Sequence, residues 1–452
     1  MSQSTFSENK MGVMPIPKLL ITIATPMVIS MLVQALYNIV DSIFVSKLGE
    51  DALTAVSLTF PIQNLIIAVA VGTAVALNAL ISRYLGANEL EKCSMVAKHG
   101  ILLAFLSYLV FAIIGIFGSH IFFASQTDNQ TIVTYGTQYM SIISIFSFGV
   151  FFQITFERFV QSTGRTVLNM IMQGTGAIIN IILDPILIFG LFGFPRFEVM
   201  GAALATIIGQ ICAALIGLFF VLTYTKEINI NMKGFKPNKE TIISIYQIGV
   251  PAILMQSIGS IMVFGMNAIL LMFTTTATAV FGIYFKLQSF IFMPIFGLTN
   301  GLISIVAYNY GAKNKKRIME SFKLSCIIST IVMIIGSAVF FIFPSQLLSM
   351  FDASEDMMQI GTNALTIIAF SFAFAGFSII CSAMFQALGN AVYSLIISVA
   401  RQLVVMLPVA YLLASLGGLD LVWYALPIAE VACCLLCAFL MKRIYNHTVK
   451  NL

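Results

Sequence analysis

The chain carries the same block of residues twice, and the second copy begins 225 positions after the first. Proline, glutamine and glycine occupy matching points of long apolar segments in both copies. The matched pairs are Pro26/Pro251, Gln63/Gln288, Gly72/Gly297, Gly136/Gly361, Gln161/Gln386 and Gly164/Gly389. Because a duplicated sequence builds the same scaffold twice, the fold is predicted to consist of two equivalent halves.

The apolar segments are too long and too frequent for a water-soluble protein. Of the 452 residues, 59% are hydrophobic and 9% are charged, and the mean hydropathy is +1.00. A helix of about 20 apolar residues crosses the hydrocarbon layer of a bilayer. The sequence therefore predicts twelve transmembrane helices, near residues 17–46, 53–82, 95–121, 134–162, 167–193, 201–224, 242–272, 277–308, 319–342, 359–387, 391–415 and 419–441.

The predicted fold class is an all-α integral membrane protein with two six-helix bundles related by the internal repeat. The stretch 226–240 is basic, contains Asn and Gly, and has the composition of a linker. We therefore predict an N-lobe of residues 1–230, with helices 1 to 6, and a C-lobe of residues 231–452, with helices 7 to 12.

Lysine and arginine concentrate on one side of the predicted membrane. With the N-terminus inside, 19 basic residues fall in cytoplasmic segments and two, Lys47 and Arg196, fall in the opposite loops. Short cytoplasmic loops carry the excess of positive charge, so both termini are predicted to be cytoplasmic. The formal charge of +5 reflects this topology, and its spread over many loops argues against nucleic-acid binding.

Neither a removable signal peptide nor a cysteine site is predicted. The first sixteen residues are polar and lack the basic, apolar and cleavage regions of a signal peptide. The seven cysteines fall in apolar runs or cytoplasmic loops, without the spacing of a zinc site. We therefore expect no cofactor, no structural disulfide and no metal cluster.

Two carboxylates interrupt the helices of the first half where the second half has none. Asp41 corresponds to Met266, and Asp184 corresponds to Leu407 when the following prolines are aligned. An ionised carboxylate inside a membrane costs several kcal/mol, and no lysine or arginine lies at matching depth in the N-terminal helices. The two acids therefore indicate an ion or proton site, or else they face a water-filled cleft.

Other oxygen-bearing residues lie at the same predicted depth as these acids, near the outer end of their helices. Asn180 is four residues before Asp184 and shares its helix face. Ala202 and Thr206 are related in the same way on the next helix. We predict that this set binds one proton or cation, because two neighbouring carboxylates repel each other and favour its uptake.

The second half has buried charges of its own. Lys286, Arg401 and Glu430 fall in the eighth, eleventh and twelfth helices, each about ten residues from a helix end. Their signs and depth suit a compensated ion pair or triad. The alternative is a role in substrate contact or in coupling the two lobes.

Proline within a membrane helix removes one backbone hydrogen bond and permits a bend. Pro26 lies in the same helix as Asp41, so ion binding at Asp41 can bias the helix between straight and bent forms. The alternative is a fixed kink, because Pro251 repeats the proline in the second half.

The candidate residues for a substrate cavity are Gln34, Tyr37, Gln63, Gln161, Met255 and Gln288.

Several motifs lie at specific helices of this duplicated frame. They are YNIVD at 37–41, GAN at 86–88, QSTG at 161–164 and NIILDP at 180–185. Together with the repeat, they resemble the MATE (multidrug and toxic compound extrusion) family of efflux antiporters over essentially the whole chain. The resemblance implies a V-shaped pair of bundles and rocker-type alternating access, in which inward ion flux drives outward release of an organic cation.

The acids of the first half are similar to those of the DinF- and MepA-like prokaryotic branch of the family. That similarity implies a cation site at Asp41, Asn180, Asp184 and Thr206. The NorM-like group also has an acid in the seventh and in the tenth helix. Here residues 241–273 and 361–388 contain none, so a second-half cation site of that type is not expected.

The sequence therefore predicts a secondary active multidrug efflux transporter of the cytoplasmic (inner) membrane. It would exchange amphipathic, often cationic drugs for H⁺ or Na⁺, as a monomer in the lipid bilayer. The alternative is a flippase of a lipid-linked precursor from the same superfamily, although such proteins tend to have extra helices and a cationic cavity. A channel or an enzyme fits less well, because the loops lack a phosphate-binding loop or a nucleophile–base pair.

Overall fold

The computed structural model describes residues 9–351 and 353–452, and these residues are helical apart from short connections. The helices of the first half are α1 (Lys10–Val13), α2 (Ile16–Ser46), α3 (Glu50–Gly86), α4 (Leu90–Ala124), α5 (Gln130–Ile145), α6 (Phe148–Ser162), α7 (Thr166–Phe189) and α8 (Val199–Tyr224). Those of the second half are α9 (Lys239–Leu271), α10 (Thr275–Gly311), α11 (Lys315–Ile342), α12 (Pro344–Ser349), α13 (Glu355–Ala387), α14 (Ala391–Val399), the π-helical segment Ala400–Met406, α15 (Leu407–Gly417), α16 (Leu419–Val422) and α17 (Ala425–Ile444).

Within residues 9–351 and 353–452, the helices provide up to twelve candidate membrane spans. Eleven are long and apolar enough by themselves, and the pair of α5 and α6, bent by 42°, makes the twelfth. Helices suit this environment because a segment in lipid must satisfy its own backbone hydrogen bonds. The predicted all-α membrane fold with six spans in each half is therefore confirmed.

The duplication extends to the backbone conformation of the turns. Gly164 and Gly389, which are repeat partners, both have a φ of 83°. Asn88 and Lys313, also 225 residues apart, have φ values of 60° and 54°. Positive φ is rare for residues other than glycine, so its recurrence shows that both halves turn at equivalent points in the same left-handed conformation.

The chain forms two compact units whose boundaries also follow the repeat. One unit holds the described residues up to Val28 together with Leu254–Leu452, and the other holds Ile29–Ile253. The boundaries fall inside α2 and α9, each two residues after a repeated proline, Pro26 or Pro251. The functional division into lobes 1–230 and 231–452 stays a prediction, because the compact units are divided elsewhere.

In each unit, a glycine of the sequence repeat lies very close to a helix backbone. In one unit, a Cβ placed on Gly72 of α3 would lie 2.7 Å from the backbone nitrogen of Ile253. In the other, a Cβ on Gly297 of α10 would lie 2.7 Å from the backbone nitrogen of Val28. Only glycine permits so close an approach, so the repeated glycines are explained by packing.

Candidate functional site

A close crossing of α7 and α8 builds the region that contains Asn180 and Asp184. The carbonyl oxygen of Gly209 would lie 3.0 Å from a Cβ on Gly176, and that of Gly176 would lie 2.7 Å from a Cβ on Gly209. Toward the other end of the crossing, Gly201 lies directly against the backbone of α7. Along α7, Asn180 and Asp184 lie between these contacts, which hold the facing turns of α7 and α8 together.

The Asn180 side chain bridges the two helices at this crossing. In the amide orientation that satisfies both ends, its Nδ2 donates to Asp184 Oδ2 at 3.3 Å, and its Oδ1 accepts from the Thr206 backbone N–H at 3.2 Å. Asn180, Asp184 and Ala202 are all buried. The structure thus brings Asn180, Asp184 and Thr206 together.

Asp41 on α2 joins this group. Its Oδ1 is buried and has no hydrogen-bond partner among the described residues. Its charge is close enough to that of Asp184 for the two to interact. No ion pair to either carboxylate is formed within the described part of the chain. Two interacting carboxylates with an unsatisfied oxygen require a proton or a cation for charge balance.

Tyrosine 139 on α5 is part of the same polar group, although it was not predicted. Its hydroxyl accepts a hydrogen bond from Gln63 Nε2 at 3.1 Å, and it interacts electrostatically with Asp41, Asp184 and Tyr37. The repeat contained a signal for it, since the equivalent residue of the second half is Ala364. The same asymmetry distinguishes Asp41 from Met266.

The six candidates for a substrate cavity fall in both compact units, four in Ile29–Ile253 and two in the other unit. Tyr37 interacts electrostatically with Asp41 and Asp184, and Gln63 donates a hydrogen bond to the Tyr139 hydroxyl. Gln34 is exposed two turns before Asp41. Gln161 is buried and accepts a hydrogen bond from Arg158. Met255 contacts Gln386, with 3.9 Å between sulfur and amide nitrogen, and Gln288 is half-buried. Their common role in substrate binding stays a prediction.

Two of the three charges of the second half form an ion pair. Arg401 Nη1 lies 3.1 Å from Glu430 Oε1, and Tyr284 is close enough to interact with both charges. Lys286 is instead exposed, with its ammonium 5.9 Å from the centre of the Phe351 ring. In the described region Lys286 forms no ion pair with Glu430, so the geometry is a pair and not a triad.

The local helix geometry is unusual at this pair. Arg401 lies in the π-helical segment Ala400–Met406, and π-helical turns concentrate at functional sites. Arg401 Nε and Glu430 Oε2 are buried without a hydrogen-bond partner in the described structure. The pair compensates charge, and its remaining polar atoms are unsatisfied.

Comparison with protein families accounts for the duplication. The model of the family described as MatE matches this chain twice, over residues 26–186 and 251–412. The chain belongs to the MatE family. The second match starts 225 residues after the first, which is the period of the sequence repeat.

Individual relatives in this family are named as drug exporters. The chain is 30% identical over 435 residues to the multidrug export protein MepA of Staphylococcus haemolyticus (strain JCSC1435), which covers 95% of this chain and 94% of that protein. It is 28% identical over 423 residues to MepA of Staphylococcus aureus (strain MSSA476), covering 93% and 92%.

A solved structure, the outward-facing conformation of a multidrug resistance MATE family transporter, matches with a TM-score of 0.92 at 26% identity and covers 100% of both chains. The protein is therefore a multi-pass membrane transporter of a multidrug efflux family, and not an enzyme.

Proposed function

We propose that this MatE protein exports amphipathic, often cationic drugs from the cytoplasm and couples their export to the entry of protons or sodium ions. The relatives named as multidrug export proteins support this substrate class. The lipid-precursor flippase finds no such support. We propose that the protein lies in the cytoplasmic membrane as a monomer. Both of its termini would face the cytoplasm.

The observation that carries this proposal is the pair Asp41 and Asp184 in one half of a duplicated fold. Their charges interact, Asp41 Oδ1 has no partner in the described structure, and the second half has Met266 and Leu407 at the equivalent positions. A scaffold role would be repeated in both halves. A coupling site needs to be present only once.

We propose that Asp41, Asn180, Asp184 and Thr206 form the coupling site, with the backbone of Ala202 beside it. Ion binding there would neutralise the acids and favour one conformation of α2, the helix that carries Asp41 and contains Pro26. Alternating access follows if substrate and ion stabilise different conformations, because each then weakens binding of the other by the same factor.

The direct test is transport by the purified protein in liposomes. An imposed proton or sodium gradient should drive accumulation of ethidium, a fluorescent organic cation. Asp41→Asn should abolish this ion-driven accumulation, whereas Asp128→Asn, which neutralises an exposed acid, should not. Equal transport by the Asp41→Asn and wild-type proteins would remove Asp41 from the mechanism.

A further inference from the structure

A second polar cluster lies in the same compact unit, on α6 and the first half of α7. Glu157 is buried. Its Oε1 accepts a hydrogen bond from Gln153 Nε2 at 2.9 Å, and its Oε2 accepts one from Gln173 Nε2 at 2.9 Å. Both carboxylate oxygens are thus held by neutral amides from two different helices.

No ion pair neutralises Glu157 within the described residues. The neighbouring Arg158 directs its Nη1 to Gln161 Oε1. The charged and titratable groups that interact with Glu157 are Arg158 on its own helix and Tyr37 on α2. A buried carboxyl group without an ion pair is costly in a membrane and normally has a function.

Polar side chains connect this cluster with Asp184 along one face of α7. Thr166, Asn169, Gln173, Asn180 and Asp184 recur at spacings of three, four and seven residues, which place them on the same side of a helix. The gap between Gln173 and Asn180 contains Ala177 and Gly176, and Gly176 packs closely against Gly209 and Ala213 of α8.

Two atoms of this face lack a partner in the described structure. Thr166 Oγ1 and Gln173 Oε1 are both buried and unsatisfied. Buried polar atoms are normally hydrogen-bonded to protein or to ordered water. This half of the face is therefore suited to hold water between Glu157 and the end of α7 that the basic residues predict to be cytoplasmic.

The distances agree with a route that passes Glu157. At 1.5 Å per residue, Gln173 lies about 16 Å along α7 from Asp184 and about 10 Å from Thr166. Tyr37 interacts electrostatically with Asp41, Asp184 and Glu157, so it is within electrostatic range of both acid clusters.

We propose that Glu157 is a second coupling acid, which receives the proton released from Asp41 and Asp184 and passes it to the cytoplasm along the polar face of α7. This inference rests on the proposed function and adds an inner site to it. The carboxylate gains the proton to become a neutral carboxylic acid, and then loses it to water at the cytoplasmic end.

The glutamines can stabilise both forms of Glu157. In the charged form, each amide donates an N–H to one carboxylate oxygen, as observed. In the protonated form, the new O–H needs an acceptor. Gln173 Oε1, which has no partner in the described structure, becomes that acceptor when its amide rotates.

This arrangement fits a proton better than a sodium ion. Sodium would require several oxygens directed at one point, whereas both oxygens of Glu157 already face amide N–H donors. Among the described residues there is also no group of three or more acids, histidines or cysteines arranged to hold a metal ion.

Glu157→Gln in liposomes tests the proposal through two separate measurements. Proton-driven ethidium accumulation should fall about 100-fold, at the lower end of what a positioned proton-transfer group contributes. The affinity for ethidium and its pH dependence at equilibrium should stay unchanged, because Asp41 and Asp184 remain. Glu91→Gln, which neutralises an exposed glutamate of the same unit, should behave as wild type.

Glu157→Asp keeps a titratable carboxyl group on a shorter side chain. Its proton-driven ethidium accumulation should be faster than that of Glu157→Gln, slower than that of the wild type, and altered in its pH dependence. If Glu157→Gln does not fold, Gln173→Leu removes the proposed acceptor and should slow proton-driven accumulation in the same way. If Glu157→Gln accumulates ethidium at the wild-type rate under a proton gradient, the inner site is wrong but the proposed function stands. The same conclusion follows from a wild-type rate in Gln173→Leu, if that variant has to be used instead. Absence of ion-driven accumulation in the wild type would instead overturn the proposed function.

Discussion

Replacing Gly209 by alanine should separate α7 from α8 and disrupt the acid site without touching either acid. The new Cβ would lie 2.7 Å from the carbonyl oxygen of Gly176, whereas ordinary contacts begin at 3.4 Å. The helices must therefore move apart by about 0.7 Å. The Asn180 Oδ1 contact to the Thr206 N–H, now 3.2 Å, would lengthen to about 3.9 Å, beyond hydrogen-bonding distance.

The free energy of unfolding should fall. Overpacking costs about 1 to 3 kcal/mol, and the lost hydrogen bond costs about 1 kcal/mol. The higher helix propensity of alanine returns at most about 1 kcal/mol. The net destabilisation is therefore expected to be about 1 to 3 kcal/mol.

Gly174→Ala is the matched control, because it changes the same residue type on α7 where nothing lies within 4 Å of the added Cβ. In Gly209→Ala, the melting temperature in detergent should fall and the ion dependence of ethidium binding should become weaker. Gly174→Ala should keep both properties of the wild type. A Gly209→Ala protein equal to its control in both respects would refute this account of the crossing.

The remaining predictions concern the repeat contacts and the ion pair. Gly72→Ala and Gly297→Ala should each destabilise by about 1 to 3 kcal/mol, because both place a Cβ 2.7 Å from a backbone nitrogen; a marked difference between the two melting temperatures would show that the contacts are not equivalent. Glu430→Gln should strand Arg401 and destabilise by about 3 kcal/mol, whereas Lys286→Gln should melt like the wild type. A fully stable but transport-inactive Glu430→Gln protein would place Glu430 in the coupling mechanism.

Much of the fold is predictable because membrane spans depend on local properties of the sequence. Apolar length alone marks a span, and residues four apart on a helix must share a face. The spacing of Asn180 and Asp184 is therefore sufficient to pair them on α7. The structure adds the close crossing with α8 that brings Thr206 to them.

Other features depend on packing between distant segments. Tyr139 is hard to recognise because tyrosine is common in membrane helices. The repeat marks it only by Ala364 at the equivalent position, and its contact with Gln63 comes from packing between α3 and α5. Depth allows either an ion pair or a triad among Lys286, Arg401 and Glu430, because depth does not fix the direction in which a side chain leaves its helix. Glu157 does not stand out as a functional residue in the sequence, because its two glutamine partners come from different helices.

The most direct test of the coupling site is a titration of ethidium against the purified protein at several pH values and sodium concentrations. The account predicts that a higher concentration of the coupling ion weakens ethidium binding to the wild-type protein, because the two ligands are reciprocally linked. Asp184→Asn should lose this dependence, since Asp184 is buried within the site. Ethidium affinity that ignores both ions in the wild type, or keeps its full ion dependence in Asp184→Asn, would contradict a coupling site at Asp41 and Asp184.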